Sequence, residues 1–176
     1  EITNDTTPSF DVTCEHNQPR SLDWTGEAAD STADTCTNYV MDFDGDTDSL
    51  EVDDNDAFDL GSIFTVEAWG SWDGVGAGEQ YGRIADRGDG GDQQFTLAVM
   101  DTQNDECGGQ SADPGEIFFT WQDTTNTTGC LVVHAALVAD TWTHVAIVAD
   151  GVDVTGYVDG NKEDATPLAT ALKDAD

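Results

Sequence analysis

The sequence predicts an all-β protein, an antiparallel β-sandwich, and three observations carry that expectation. From Tyr39 onward, apolar runs of about four to eight residues alternate with Gly, Asp and Asn turns. Two Asp-Gly pairs, Asp150-Gly151 and Asp159-Gly160, interrupt apolar runs where a hairpin needs a tight turn. No long segment carries the apolar period of an amphipathic helix.

The elements follow in chain order. Residues 1–38 are polar, and Phe10-Asp11-Val12 can form one short strand there. This part reads as an extension strapped down by a disulfide, and 39–176 as the sandwich. Strands are expected at Tyr39 to Phe43, Ser49 to Val52, Phe64 to Ser71, Gly82 to Asp86 and Phe95 to Met100. Further strands are expected at Glu116 to Trp121, Leu131 to His134, Thr143 to Ala149 and Val152 to Val158. A short helical turn fits Asp54 to Phe58. Along Phe64-Val66-Ala68-Gly70 one face is apolar and small, while Thr65, Glu67 and Trp69 point the other way. Both faces of Thr143 to Ala149 are apolar or small, so that strand is expected to be central.

A chain of 176 residues is long enough for one domain with a sizeable core. Apolar residues make up only 38%, and five Trp and seven Phe offset this because each aromatic buries a large area. The net charge is −32, from 37 acidic and five basic residues. Lys162 and Lys173 are the only lysines. Such a chain repels itself in dilute buffer. At about 1 M salt the Debye length is only about 3 Å, and most of that repulsion is screened. The composition therefore resembles that of halophilic proteins. No basic patch exists to neutralise phosphates, which excludes nucleic acid as a partner. No apolar run reaches about 18 residues, so direct membrane insertion is not expected.

Cys14, Cys36, Cys107 and Cys130 lack the close paired spacing of a zinc site. Their even number and wide spacing suit two disulfides. Of the three possible pairings, Cys14–Cys36 and Cys107–Cys130 are favoured because each closes a local segment. A loop of about 22 residues is worth roughly 3 kcal/mol in the chain-entropy model. Two glycosylation sequons, at Asn4 and Asn126, point with the disulfides to an extracellular location.

Five segments in register resemble laminin G-like domains of the concanavalin A-like superfamily. They are Phe43-Asp44-Gly45, Leu50-Glu51-Val52, Phe64 to Trp69, Trp142 to Val148 and Tyr157 to Gly160. The resemblance covers about residues 39–176. It implies a concanavalin A-like jelly roll that works by binding at or outside the cell surface. It also implies one or two further strands beyond Pro167-Leu168. On that reading the chain is a fragment of a longer polypeptide, or its open edge strand is completed by another chain.

Ca²⁺ in domains of this type lies beside the first strand, a location that Asp44, Gly45, Asp46 and Asp48 match. Ca²⁺ takes oxygen ligands, which this acidic run supplies, and a salt-adapted surface would have the same composition. The loop Asp86-Arg87-Gly88-Asp89 offers Asp86 and Asp89 as ligand-binding carboxylates, although Arg87 can equally pair with a neighbouring Asp. Trp69, Trp72, Trp121 and Trp142 would stack on sugar rings if exposed. At strand spacing they read as core, and Trp72, beside the Gly-rich loop after it, is the one expected at the surface. His144 is expected to be structural.

Laminarinase-type hydrolases of this fold carry Glu-x-Asp-x-x-Glu on one strand. The nearest run, Glu51 to Asp56, ends in Asp and leaves its strand after Asp53, so catalysis is not expected. The functional expectation is an extracellular binding or adhesion module for a glycan or surface protein, with Ca²⁺ as its possible cofactor. The alternatives are a structural subunit of a filament, layer or virion built by strand exchange, and a divergent glycoside hydrolase.

Overall fold

The computed structural model describes residues 10–14, 18–22, 41–43, 49–52, 58–74, 80–88, 94–102, 104–107 and 109–173. For 10–14, 18–22 and 104–107 it describes the backbone alone. The chain divides into two compact units, Glu1–Glu51 and Val52–Asp176. In the first, β1 (Phe10–Cys14) and β2 (Gln18–Leu22) pair as an antiparallel hairpin. Residues 41–43 and 49–52 carry no strand, contrary to expectation. Their alternation of apolar and acidic residues is strand-like, but no ladder among the described residues includes them. A strand without a neighbour leaves its backbone groups to water. Phe58 has 3₁₀ geometry, while Asp54 and the residues up to Ala57 lie outside the described set.

The second unit holds β3 (Ile63–Trp72), β4 (Tyr81–Arg87), β5 (Phe95–Met100), β6 (Asn104–Cys107), β7 (Gln110–Ala112) and β8 (Ile117–Gln122). It continues with β9 (Thr128–Val133), β10 (Thr141–Asp150), β11 (Asp153–Val158) and β12 (Asn161–Pro167). Two four-stranded antiparallel sheets form, in the orders β12-β11-β10-β3 and β4-β5-β8-β9. β6 and β7 make a separate hairpin. The apolar positions of the two sheets meet in one core, with Phe64, Leu97, Phe119, Leu131, Ile147 and Val154 at its centre. Phe95, Phe119 and Trp121 form a run of rings with neighbouring centroids 5.7 Å apart. This is a β-sandwich, as the patterning predicts.

Both Asp-Gly turns form. Asp159 (φ 49°) and Gly160 (φ 77°) join the paired residues Val158 and Asn161, a two-residue turn that needs positive φ at both positions. At the β10–β11 turn the Asp150 carboxylate accepts the N–H groups of Val152 at 2.8 Å and Asp153 at 2.9 Å. The Asp153 N–H, and after it that of Val152, holds the Asp150 carboxyl below its ordinary range. At Gly156, on the inner face of β11, a methyl group would collide with Val133 of the opposite sheet. The sheets approach closely there because glycine lets them.

Candidate ligand-binding face

Alternation along each strand gives every sheet two faces, and the outer faces of the two sheets differ. In β4-β5-β8-β9 the outer positions Ala98, Met100, Phe118 and Val132 are buried and form a second cluster with Ala112 of β7. Consequently β5 is buried along its whole length. Tyr81 packs edge-on against Phe118, with ring centroids 5.2 Å apart, and closes one border of that cluster.

The outer face of β12-β11-β10-β3 is open. Trp69 is 66% exposed and Trp142 50% exposed. Trp69 lies directly opposite His144 in the β3–β10 ladder, and their rings are 5.2 Å apart. The His144 Nε2 lies 3.4 Å from a carboxylate oxygen of Glu67, whose side chain is 64% exposed. Trp142 precedes His144 by two residues on the same face and lies opposite Ser71. Ala146, flanked by Glu67 and Tyr157 across the two ladders, gives that face a low floor. The strand carrying the rings is anchored at its neighbour's turn. Asp159 accepts the His144 N–H at 3.0 Å and donates its own N–H to the His144 carbonyl at 2.8 Å. Aromatic faces beside one carboxylate and one imidazole can stack on a flat apolar ring surface and accept or donate hydrogen bonds at its edge.

The expected site residues fall elsewhere. Trp72 turns inward. It packs against the core, and its indole N–H donates to Asp101 at 2.9 Å. Its even position in β3 places it with Phe64, Val66 and Ala68, so the adjoining loop does not expose it. Trp121 is core as well. Asp86 is exposed and lies 3.4 Å from Arg83, while Arg87 pairs with Asp59. Asp89 lies outside the described residues, as do Asp44, Gly45, Asp46, Asp48, Asn4 and Cys36. No group of three or more His, Cys, Asp or Glu among the described residues is placed to hold a metal ion. Cys130 is disulfide-bonded and borders the covered outer cluster. Cys14 ends β1 and Cys107 ends β6, and neither side chain is among those described.

Asn126 is exposed at φ 60° in the β8–β9 turn. Asp123 braces that turn. Its carboxylate accepts the Thr125 hydroxyl at 2.6 Å and the N–H groups of Thr125 and Thr127 at 2.8 and 2.9 Å. Its pKa is lowered from 3.8 to about 2, first by the Thr125 hydroxyl and then by the Thr127 N–H.

The laminin G-type family model described as the concanavalin A-like lectin/glucanases superfamily matches residues 44–176. The chain belongs to this superfamily. No curated protein matches the sequence. Among solved structures, the binding domain of Paraclostridial Mosquitocidal Protein 1 is similar at 16% identity with a TM-score of 0.44. That similarity covers 68% of this chain and 31% of the other. Among the described residues, no helix of this superfamily member is long and apolar enough to cross a membrane. Lectins bind and glucanases hydrolyse, so membership alone leaves both activities open.

Proposed function

We propose that this domain is an extracellular, non-catalytic binding module whose ligand is a glycan or a glycan-bearing surface protein. The observation that carries the reading is the pair of outward tryptophans, Trp69 and Trp142, exposed together on one sheet face. Large exposed aromatics on one flat face mark an interaction surface. Hydrolysis with retention needs two carboxyl groups about 5–5.5 Å apart on a firm scaffold. Glu51 and Val52, the start of the closest motif, carry no strand. Calcium at Asp44, Gly45, Asp46 and Asp48 remains part of the proposal on the sequence alone, as does the pairing of Cys107 with Cys130.

The test is equilibrium binding of the chain to a panel of soluble oligosaccharides in about 3 M salt, where the repulsion of its charge is screened. Chromatography of the sugars afterwards reads hydrolysis. Saturable binding with intact sugars is the expected result, and shortened sugars would replace the binding module with a hydrolase. Loss of binding on adding a chelator, restored by Ca²⁺, would support the calcium proposal.

A structural subunit completed by strand exchange is the second reading. It draws on β3, which has a ladder partner on one side only among the described residues. Multimers that persist on dilution in about 3 M salt would favour it.

A further inference from the structure

We infer that Asn126 is a modification site, the acceptor of an N-linked glycan. One observation carries this. The β8–β9 turn leaves exposed and unused the two groups that such an attachment needs, the Asn126 amide and the Thr128 hydroxyl. The inference rests on the extracellular location proposed above and is independent of what the outer face of β10 and β3 binds.

The turn is built from other atoms. The Asp123 carboxylate takes the Thr125 hydroxyl and the N–H groups of Thr125 and Thr127. The hydroxyls of Thr125 and Thr127 lie 3.0 Å apart. The Asn126 N–H donates to the Asp123 carbonyl at 2.9 Å, and the Asp123 N–H donates to the Thr127 carbonyl at 3.0 Å. The Thr124 N–H donates to the Ala171 carbonyl at 3.1 Å and ties the turn to the chain beyond β12. Among the described residues, the side chains of Asn126 and Thr128 take part in none of these bonds. A φ of 60° at residue 126 suits Gly or Asn. The first position of β9 suits a β-branched residue. Neither demand uses the amide or the hydroxyl. Residues 124–128 are all exposed, so the folded turn is open to a transferase and a glycan there points into water.

Asn126-Thr127-Thr128 has the order that an N-glycan acceptor requires, with Asn, any residue but Pro, and a hydroxyl two positions on. The donor is an oligosaccharide linked to a lipid phosphate. The Asn126 Nδ2 forms a bond to the anomeric carbon of the first sugar. The bond from that carbon to the lipid phosphate oxygen breaks, and the phosphate leaves with the electron pair. One Nδ2 proton passes to a base of the transferase, and nothing is oxidised or reduced.

The turn stands at the end of the sandwich away from the indoles. Asp123 pairs with Leu172, whose N–H donates to the Gly61 carbonyl just ahead of β3. Trp69, and Ser71 opposite Trp142, lie toward the other end of β3. From Ile63 to Trp69 a strand advances about 20 Å. A glycan on Asn126 therefore leaves the aromatic face open.

The experiment expresses the full chain, exported and cytosolic, in a host that N-glycosylates its exported proteins, and maps the glycopeptides by mass spectrometry. The exported chain is expected to carry a glycan on Asn126 in most molecules, and the cytosolic chain none. Asn126→Gly, which keeps the positive φ, and Thr128→Ala are each expected to abolish it. Thr128→Ser and Thr127→Ala are expected to retain it. The indole N–H resonances of Trp69 and Trp142 are expected to be the same with and without the glycan.

An exported, folded chain with a bare Asn126, beside host proteins that are glycosylated, would overturn the inference and leave the extracellular reading standing. So would a glycan that persists in both Asn126→Gly and Thr128→Ala. Indole resonances that move when the glycan is released would overturn its placement away from the aromatic face. A chain that folds only in the cytosol would overturn the extracellular location and this inference with it.

Discussion

The sheet β4-β5-β8-β9 and the sheet β12-β11-β10-β3 share one core, yet among the described residues only the first buries apolar side chains on both faces. In the first, Met100 and Phe118 point away from the sandwich and are still buried, because Ala112 of the β6–β7 hairpin caps them. In the second, the equivalent outward positions of β10 and β3 hold Trp142 and Trp69, which remain exposed. The difference teaches how one fold divides its work. One sheet buries apolar side chains on both faces, while the other presents exposed indoles, the face we propose for a ligand. The exposed face is built on strands, the inner strand β10 and the edge strand β3, and not on a loop.

The most forceful way to break this comparison is to truncate one aromatic on each outer face. Phe118→Ala should lower the unfolding free energy by about 3–5 kcal/mol, since it empties a closed cluster. Trp69→Ala, on the open face, should change it by only about 0.5 kcal/mol. Denaturant titration in high salt reads both, and similar losses would mean that the two faces are equally covered. Gly156→Ala probes the seam between the sheets. The added methyl meets Val133 of the opposite sheet and should cost about 1–3 kcal/mol. A neutral result would show that the sheets can separate there at little cost.

Acid acts on the turns. The folded pKa of Asp123 lies near 2, below its ordinary 3.8, so its stabilising effect is present above the ordinary value. That effect fades as pH falls through 3.8 toward 2. Carboxyl-carbon NMR should find Asp123 titrating well below the ordinary aspartate value of 3.8, and Asp123→Asn should remove this component of the acid transition. Titration at the ordinary value would show that the Thr125 and Thr127 bonds do not persist in solution.

Much of the sandwich is legible in the sequence, because β5, β8, β10 and β11 are apolar runs closed by turn residues. β12 is not, since Asn161 to Pro167 has no apolar alternation. It is an edge strand held by the Asp159-Gly160 turn and by its ladder to β11. β6 and β7 are too short and polar to stand out, although β7 supplies the Ala112 cap. Residues 41–43 and 49–52 show the reverse error, a strand-like pattern that no ladder among the described residues includes. The candidate binding face is half legible in the sequence. The alternation of β3 already placed Trp69 with Thr65 and Glu67, and Trp72 with the apolar set. The Gly-rich sequence after Trp72 points the other way, but strand parity decides which side chain reaches water. No sequence pattern announces that the β6–β7 hairpin covers one outer face while Trp69 and Trp142 stay exposed on the other.

The central claim is that the outer face of β10 and β3 receives the ligand. Its most direct test is the indole N–H spectrum of the ¹⁵N-labelled chain during titration with an oligosaccharide that binds. The resonances of Trp69 and Trp142 should move together along one saturation curve, while those of Trp72 and Trp121, packed in the core, stay in place. Saturable binding that leaves Trp69 and Trp142 unmoved would contradict the account.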